Sequence, residues 1–196
     1  MVRMACPDDG PALAKIYRPY VLKTSVTFEY EPPDGAEMSR RISQFYPKFP
    51  YLVYEEKGVV LGYAYAHPQH ERAAYQWSAE LSVYVEWDHR GQGIGKALYQ
   101  PLICLLERQG DYSLYSCITQ PNPVSMAMHQ RMGFSVAGIF DNAGYKMGEW
   151  HGVGWLIKFL RPFTEEAPAA PLPVTDIPAG EMERILKGDD SVCRFS

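Results

Sequence analysis

The stretch that decides the fold of this chain reads Arg90-Gly91-Gln92-Gly93-Ile94-Gly95-Lys96-Ala97. It follows a predicted strand, Trp77–Val85, and opens a predicted helix whose apolar residues recur at helical spacing up to Gly110. Glycines let successive backbone N–H groups turn toward one point, and a helix N-terminus adds a partial positive charge. Arg90 and Lys96 add two full positive charges. The turn therefore predicts an anion site, for which a pyrophosphate is the expected ligand.

Spacing separates this turn from two other phosphate-binding motifs. A dinucleotide-binding fingerprint, G-x-G-x-x-G, requires a final glycine where this chain has Lys96 or Leu98. A P-loop requires a glycine at the position of Arg90 and Ser or Thr at the position of Ala97. Both motifs fail, and what remains is R-x-x-G-x-G between a strand and a helix.

Outside this turn, apolar runs predict a mixed α/β fold. Runs rich in β-branched and aromatic residues predict strands, and runs with helical spacing predict helices. The predicted strands are Val2–Ala5, Tyr51–Glu56, Val59–His67, Trp77–Val85, Tyr112–Thr119, Phe134–Phe140 and Val153–Leu160. The predicted helices are a run after Pro7, then Glu37–Phe45, the run after the glycine turn, and Pro123–Met132. The predicted order is β-α-α-β-β-β-α-β-α-β-β, with an aromatic connector at Thr24–Tyr30.

The composition of the chain changes after Pro162. Glu165-Glu166-Ala167-Pro168-Ala169-Ala170-Pro171-Leu172-Pro173 has no helix or strand period and is typical of an extended linker. Gly180–Lys187 predicts one or two amphipathic helical turns that are too short to be stable unless docked. We therefore expect a domain over residues 1–162 and a flexible Pro/Ala-rich tail with a possible short helix over residues 163–196.

Charge and composition exclude some classes of protein. The formal net charge is −4 and the pI is near 5.7, which argues against binding to a nucleic acid. No apolar run reaches the roughly 20 residues that span a bilayer, and the first residues lack the apolar segment of a signal peptide, so we expect a cytoplasmic protein without a membrane partner. The four cysteines form no C-x-x-C pair, and we expect reduced, mostly structural thiols without a disulfide framework or a zinc site.

The turn in its context resembles the acetyl-CoA pyrophosphate loop of the GNAT acetyltransferase superfamily. That resemblance implies one GNAT-like domain with a strongly twisted mixed sheet, splayed between strands 4 and 5. Further segments are similar to the phosphinothricin and methionine sulfoximine acetyltransferase family within that superfamily. They include Thr24–Phe28, Gly62-Tyr63-Ala64-Tyr65, Arg72–Glu80, Ser82–Val85, Met128-His129, Gly133-Phe134 and Gly144–His151, and they cover most of residues 1–162.

The resemblance implies that acetyl-CoA binds as a cosubstrate, without a metal ion. The implied binding residues are Val83, Tyr84 and Val85 on the strand, Arg90, Gly91, Gln92, Gly93, Ile94, Gly95 and Lys96 in the turn, and Asn122 and Ser125 on the next helix. The pantetheine amides would lie beside Val83–Val85 like an added strand. Asn122 would hydrogen-bond the pantetheine arm.

Acetyl transfer to an amine requires a base and a group that stabilises the oxyanion. Glu80 is the expected base, directly or through a water, because partial burial beside Trp77 and Leu81 would raise the pKa of its carboxyl. It also matches the family's W-[ST]-A-E context. A backbone N–H in Val83–Val85 would meet the oxyanion. His129 stands where many relatives carry a Tyr that protonates the leaving thiolate, and the resemblance implies a catalytic or electrostatic role for it.

The acceptor side is implied by a set of aromatic and polar residues. The expected substrate-binding residues are Phe28, Arg72, Tyr75, Trp77 and Ser78, with Arg72 pairing with a carboxylate. Lys146 is a weaker candidate, from a loop that a partner subunit of a homodimer would share. His70 departs from the family, in which a Lys can occupy this position, so a small amine other than phosphinothricin stays open.

Three functions are compatible with this sequence. The first is a small-molecule N-acetyltransferase that acts on an amino-acid-like amine. The second is a protein or peptide N-acetyltransferase, against which the aromatic, Arg-containing loop indicates an enclosed pocket. The third is a non-catalytic acyl-CoA-binding module, against which Glu80 argues.

Overall fold

The computed structural model describes residues 1–193, which form one seven-stranded sheet with helices on both faces. The strands are β1 (Val2–Met4), β2 (Tyr51–Glu56), β3 (Val59–Pro68), β4 (Ser78–Val85), β5 (Ser113–Thr119), β6 (Ser135–Lys146) and β7 (Glu149–Phe159). The helices are α1 (Gly10–Lys23), α2 (Gly35–Phe45), α3 (Ile94–Gln109), α4 (Pro123–Arg131) and α5 (Ala179–Leu186). Up to β7 the predicted order of elements is confirmed. No helix within the described residues is long and apolar enough to cross a membrane.

The sheet order is β1-β2-β3-β4-β5-β7-β6, and all neighbouring strands are antiparallel except β4 and β5. The parallel pair is short, because β5 pairs with β4 only from Ser78 to Glu80. Beyond Glu80, β4 continues to Val85 without β5 beside it. The predicted splay between strands 4 and 5 is therefore confirmed, and it opens a cleft in the middle of the sheet.

Each face of the sheet carries its own hydrophobic core. The α3 face packs leucines of α3, such as Leu98, Leu102 and Leu106, against Leu81 and other apolar residues of the central strands. The opposite face packs α1 and α2 over a group of aromatic rings that includes Tyr51 and Tyr63. Side chains alternate between the faces along a strand. The residues of β4 are thus divided, with Leu81, Val83 and Val85 toward α3 and Glu80, Ser82 and Tyr84 toward α1 and α2.

The last two strands are longer than the sequence predicts. The sequence predicts that one strand ends at Phe140 and that the next begins at Val153. In the structure β6 continues to Lys146 and β7 already begins at Glu149, so the two strands form a hairpin. The connection is Met147-Gly148, and both residues have positive φ angles, of 54° and 86°. A register shift between Phe140 and Gly144 interrupts the alternation of apolar residues, which is why the polar stretch within β6 reads as a loop.

The tail contrasts with the flexible segment that the sequence predicts, because much of it packs against the domain. Val174, Ile177 and Ile185 are buried in the α3-side core, and α5 lies against α3. Backbone groups of Leu172 also bond to Gln109, through Leu172 N–H to Gln109 O at 2.7 Å and Gln109 Nε2 to Leu172 O at 2.6 Å. Docking supplies the partners that a short amphipathic helix needs for stability.

The expectation of four reduced thiols without a disulfide is wrong for one pair. Cys104 in α3 and Cys193 at the end of the described chain form a disulfide with a Cα–Cα distance of 5.4 Å, across a sequence separation of 89. The spacing of the cysteines gives no sign of this pairing, since it arises from the return of the tail to α3. Cys6 and Cys117 are free.

Replacing Val174 tests whether the tail contributes to stability. Val174→Ala should lower the free energy of unfolding by about 1.5–2 kcal/mol, because it removes two methyl groups from a fully buried side chain. Thr175→Ala, at the exposed neighbouring position, is the matched control and should change it by less than about 0.5 kcal/mol. Urea unfolding measures both, and equal effects would contradict docking of the tail in solution.

Candidate active site

The gap between β4 and β5 forms a pocket that we call the splay cleft. Its walls come from the connector after α1, from both strands, from α3 and from α4 with its N-cap. The lining residues are Val26, Leu81, Ser82, Val83, Tyr84, Tyr99, Ser116, Cys117, Ile118, Thr119, Asn122, Ser125 and His129. Five residues predicted from the sequence meet here, namely Val83, Tyr84, Asn122, Ser125 and His129.

The edge of β4 that faces the cleft carries unpaired backbone groups. Tyr84 and the other even-numbered residues of β4 direct N–H and C=O toward β3, whereas the odd-numbered residues direct them toward β5, as Trp77 O does just before the strand. Two carbonyls on this edge have partners: Val85 O accepts from Tyr20 Oη at 2.6 Å and Leu81 O from Ser116 Oγ at 3.5 Å. The N–H and C=O of Val83 and the N–H of Val85 are left facing the cleft. This edge can pair with an extended ligand that carries amide groups.

On the α3 side of the cleft, His129 and Tyr99 form a buried pair. His129 Nδ1 lies 2.8 Å from Ser125 O, so that nitrogen donates its proton to the carbonyl and Nε2 accepts from Tyr99 Oη at 3.1 Å. Tyr99 Oη also lies 3.4 Å from Ser116 Oγ on β5. Burial lowers the pKa of His129, and the imidazole is neutral in this environment. The pair therefore presents an oriented tyrosine hydroxyl to the cleft.

Asn122 caps α4 at the mouth of the cleft. Its Oδ1 accepts from the backbone N–H of Ser125 at 3.1 Å, and Pro123 follows at the first helical position. The cap uses the carbonyl oxygen of the side chain. The Nδ2 donor is thus the group with which Asn122 can bind a ligand.

The glycine turn that precedes α3 has the backbone geometry of an anion cradle. Gly91 and Gly93 have positive φ angles of 76° and 85°, and no heavy atom would lie within 4 Å of a Cβ added to either. Gly93 is the N-cap of α3, and the Ile94 side chain that follows it is buried in the core. The outer surface at the start of α3 is therefore formed by backbone N–H groups. Gly95 lies close to α4, where an added Cβ would be 3.3 Å from Met128 Sδ.

The charged and polar side chains of the turn lie in different directions. Arg90 stacks its guanidinium 3.4 Å above the Trp87 ring and donates from Nε to Trp87 O at 2.8 Å. Gln92 Nε2 lies 3.4 Å from Asp88 O. Lys96 is exposed and borders a groove between α3 and α5 instead of the splay cleft.

Glu80 lies on the other face of the sheet, where β4 and β5 begin to separate. It pairs with His67 on β3 and with Tyr115 on β5, and its side chain is half-buried. Burial raises the pKa of this carboxyl above its usual value, and the charges of His67 and His70 oppose the rise. A half-buried carboxylate with a raised pKa is suited to accept a proton.

The connector after α1 covers this face. Tyr17 Oη lies 2.6 Å from Thr27 Oγ1, and Arg41 holds Glu29 at 2.8 Å. Lys146 is buried, donates from Nζ to Thr27 O at 2.6 Å, and has a pKa lowered by burial. Phe28 packs so closely on β6 that a Cβ at Gly144 would lie 2.3 Å from its ring. The connector is therefore fixed at both ends over the cleft.

The remaining predicted acceptor residues lie in or beside the segment that leads into β4. Tyr75 is exposed and its ring lies 4.6 Å from that of His70. Arg72 is exposed and its side chain makes no hydrogen bond within residues 1–193. Trp77 is held by the tail, since its Nε1 donates to Ala169 O at 2.8 Å. Ser78 begins β4 and pairs with β5.

Sequence reasoning missed three residues of this site. Tyr99 follows the apolar spacing of α3 and reads as core, although its hydroxyl needed a buried partner. Cys117 gave no signal, since only the strand register turns it toward the cleft. His67 gave no signal either, because its partner is fixed by the register of two strands. Among the described residues, no group of three acidic, His or Cys side chains could hold a metal ion.

Comparison with known proteins identifies relatives over most of the chain. Residues 2–155 match the model of the acetyltransferase (GNAT) domain family. A phosphinothricin N-acetyltransferase of Streptomyces viridochromogenes is 37% identical over 177 residues, which cover 90% of this chain and 95% of that protein. An L-methionine sulfoximine/L-methionine sulfone acetyltransferase of Pseudomonas aeruginosa is 32% identical over 171 residues, covering 85% of this chain and 98% of that protein.

A solved structure has a similar fold and contains acetyl-CoA. It is a GNAT superfamily phosphinothricin acetyltransferase from Sinorhizobium meliloti in complex with AcCoA, with a TM-score of 0.82 and 34% sequence identity. The match covers 86% of this chain and 92% of that one.

Proposed function

Because this chain belongs to the GNAT acetyltransferase family, we propose that it transfers an acetyl group from acetyl-CoA to the amine of a small amino-acid-like substrate of the phosphinothricin or methionine sulfoximine type. The observation that carries the proposal is the splay cleft itself. It begins at Glu80, a half-buried carboxyl in the last paired position of β4 and β5, and its lining holds an unpaired strand edge and the buried Tyr99–His129 pair.

The chain has groups that fit the pyrophosphate and the pantetheine arm of acetyl-CoA. Backbone N–H groups from Gly91 to Gly95 would hold the pyrophosphate, where the open glycine positions leave room. Arg90 and Lys96 would add charge after moving from their present positions. The edge of β4 at Val83 and Val85 would pair with the pantetheine amides, and Asn122 and Ser125 would bind the same arm. When bound, the thioester supplies the electrophilic carbon of the reaction.

Glu80 is the proposed base. An ammonium has no lone pair, so Glu80 must take a proton from the substrate before its nitrogen can attack. The raised pKa of this carboxyl brings its proton affinity closer to that of an amine. The N–H of Val83 or Val85 would then stabilise the negative charge that develops on the acetyl oxygen.

His129 has an orienting role in this proposal. Its neutral imidazole, fixed by Ser125 O, accepts from Tyr99 and so keeps that hydroxyl at the cleft. Tyr99 Oη has one proton, which it donates to His129 Nε2, so protonation of the leaving sulfur by Tyr99 would require the hydroxyl to turn that proton toward the cleft. His129 would thus act electrostatically and through Tyr99, since both of its ring nitrogens have partners.

The acceptor would lie beneath the connector, against Phe28 and near Arg72 and Tyr75. Gly144→Ala tests this placement, because the added methyl group would lie 2.3 Å from the Phe28 ring and force the ring to move. We expect KM for the acceptor to rise about tenfold, roughly 1.4 kcal/mol of binding, with KM for acetyl-CoA unchanged. The control is Gly138→Ala on the same strand, where nothing lies within 4 Å. A Gly144→Ala enzyme with unchanged acceptor KM would remove Phe28 from the pocket.

An acceptor screen tests the proposed function. Purified protein with acetyl-CoA should release free CoA thiol in the presence of phosphinothricin, methionine sulfoximine or another amino-acid-like amine. The screen includes peptides with free N-termini and internal lysines. No turnover of any amine, despite binding of acetyl-CoA, would indicate a non-catalytic acyl-CoA-binding module, and faster peptide turnover would indicate a protein acetyltransferase.

A homodimer is the proposed assembly. β6 is an edge strand, and large apolar side chains on the final hairpin are exposed, among them Ile139, Phe140 and Trp150. Sedimentation equilibrium should give twice the chain mass, and Trp150→Glu should lower it. A monomeric wild-type protein would contradict this assembly. The cytoplasmic location stays a prediction.

A further inference from the structure

His67 stands directly opposite the proposed base. In the antiparallel pair of β3 and β4 its register partner is Glu80, so both side chains lie on the α1 and α2 face of the sheet. Directly opposed residues have Cβ atoms about 4.5–5.5 Å apart. The imidazole packs between aromatic rings, with centroids 5.6 Å from Phe45 and 5.8 Å from Tyr65. Its position is thus fixed by packing as well as by the register.

The tautomer of His67 is also fixed. Nδ1 lies 3.0 Å from Pro68 O, a group that can only accept, so Nδ1 carries the proton and Nε2 keeps its lone pair. The side chain is half-buried, which leaves it access to solvent. His67 therefore combines a free basic nitrogen with an exit for a proton.

Other groups near Glu80 are less suited to this role. His70 lies in an exposed loop against Tyr75, and its charge acts on Glu80 more weakly than that of His67. The remaining titratable neighbours that interact with the Glu80 charge are Tyr65 on β3, Tyr99 on α3 and Cys117 on β5. Burial raises the pKa of each of these three, so none is a good proton acceptor. Among the described residues, His67 is the imidazole that faces Glu80 directly from the neighbouring strand.

Proton balance in acetyl transfer requires such an exit. An ammonium acceptor loses two protons when it becomes an amide, and the leaving thiolate takes up one of them. The other proton must leave the site in every turnover, or Glu80 would stay protonated and could not act again.

We propose that His67 accepts this proton from Glu80 and releases it to solvent. The O–H bond of the Glu80 carboxyl breaks as an N–H bond forms at His67 Nε2, with one bridging water relaying the proton. The resulting imidazolium then gives the proton to bulk water or buffer, which restores the carboxylate and the neutral imidazole. His67 is a positioning residue that acts through Glu80, and this inference rests on the proposed function.

The test compares wild-type protein with His67→Gln and His67→Phe in the thiol-release assay, at low buffer concentration from pH 5 to pH 9. We expect kcat of both variants at pH 7 to be about tenfold lower than that of the wild-type protein. This loss is smaller than the rate factor that a general acid or base usually contributes. The acid limb of kcat/KM should move to higher pH, because the charge of His67 lowers the pKa of Glu80 and the variants lack it. Added imidazole, at constant pH and ionic strength, should restore at least half of the lost kcat.

His70→Gln is the matched control, and it should shift the acid limb less and show no rescue by imidazole. Several results would overturn the proposal: His67 variants with wild-type kcat and an unmoved acid limb, loss of kcat that imidazole does not restore, or an equal effect of His70→Gln. Wild-type protein that turns over no amine at all would instead overturn the proposed function, so the two failures are distinguishable.

Discussion

Glu80→Gln should lower kcat/KM by about 10²- to 10³-fold at pH 7, the largest loss of activity that we expect from a single substitution. The amide has nearly the same shape as the carboxyl but cannot take a proton from the ammonium of the acceptor. Binding of acetyl-CoA should change less than about twofold, because the strand edge and the glycine turn that hold it do not involve the Glu80 side chain. Steady-state thiol release and calorimetric titration with acetyl-CoA measure the two quantities.

The shape of the pH profile adds a second readout for Glu80. The acid limb of wild-type kcat/KM should report a carboxyl whose pKa is raised by burial, so activity should fall as the pH drops through that value. The residual activity of Glu80→Gln should lack this limb. Glu56→Gln, at the exposed end of β2, should retain both rate and limb. A Glu80→Gln enzyme with the wild-type rate would remove Glu80 from the role of base.

The sequence was sufficient for the parts of the fold that rest on local signals. The glycine turn, the strand before it and the helix after it are contiguous, and local spacing determines all three. The end of β6 was missed because the register shift between Phe140 and Gly144 breaks the alternation on which strand prediction depends. The docked tail was missed because proline-rich composition describes an isolated segment and not the groove that Val174 enters.

The residues of the site, too, could be predicted only where local motifs identify them. Val83, Asn122 and His129 could be placed near one another because each follows a motif with a known order along the chain, and the structure brings them to one cleft. The contact of Trp77 with Ala169 could not be anticipated, since it depends on where the tail returns. His67 and Glu80 lie opposite each other because of the register between β3 and β4, and no short sequence motif encodes that register.

A second buried carboxyl, Asp111, should make stability depend on pH. It lies after α3, is 1% exposed, and neither carboxyl oxygen has a hydrogen-bond partner within residues 1–193. Burial raises its pKa from 3.8 to about 7, against the opposing charges of Arg161 and Lys48. At a pH between these two pKa values, the Asp111 carboxyl is protonated in the folded state and ionised in the unfolded state. Stability from this group should therefore fall as the pH rises from about 4 to about 7 and be level above that.

Asp111→Asn should remove that loss, because an amide stays neutral at every pH in the range. Above pH 7 we expect the variant to be more stable than wild type by up to about 4 kcal/mol, the energy that corresponds to the change in pKa. The difference should shrink toward pH 4, where the wild-type carboxyl is protonated in the folded state. Urea unfolding at pH 4.5, 6, 7 and 8.5 measures it, with the exposed Asp8→Asn as control. Parallel stability curves for wild type and Asp111→Asn would show that Asp111 is ionised in the folded protein, held by a partner for both oxygens.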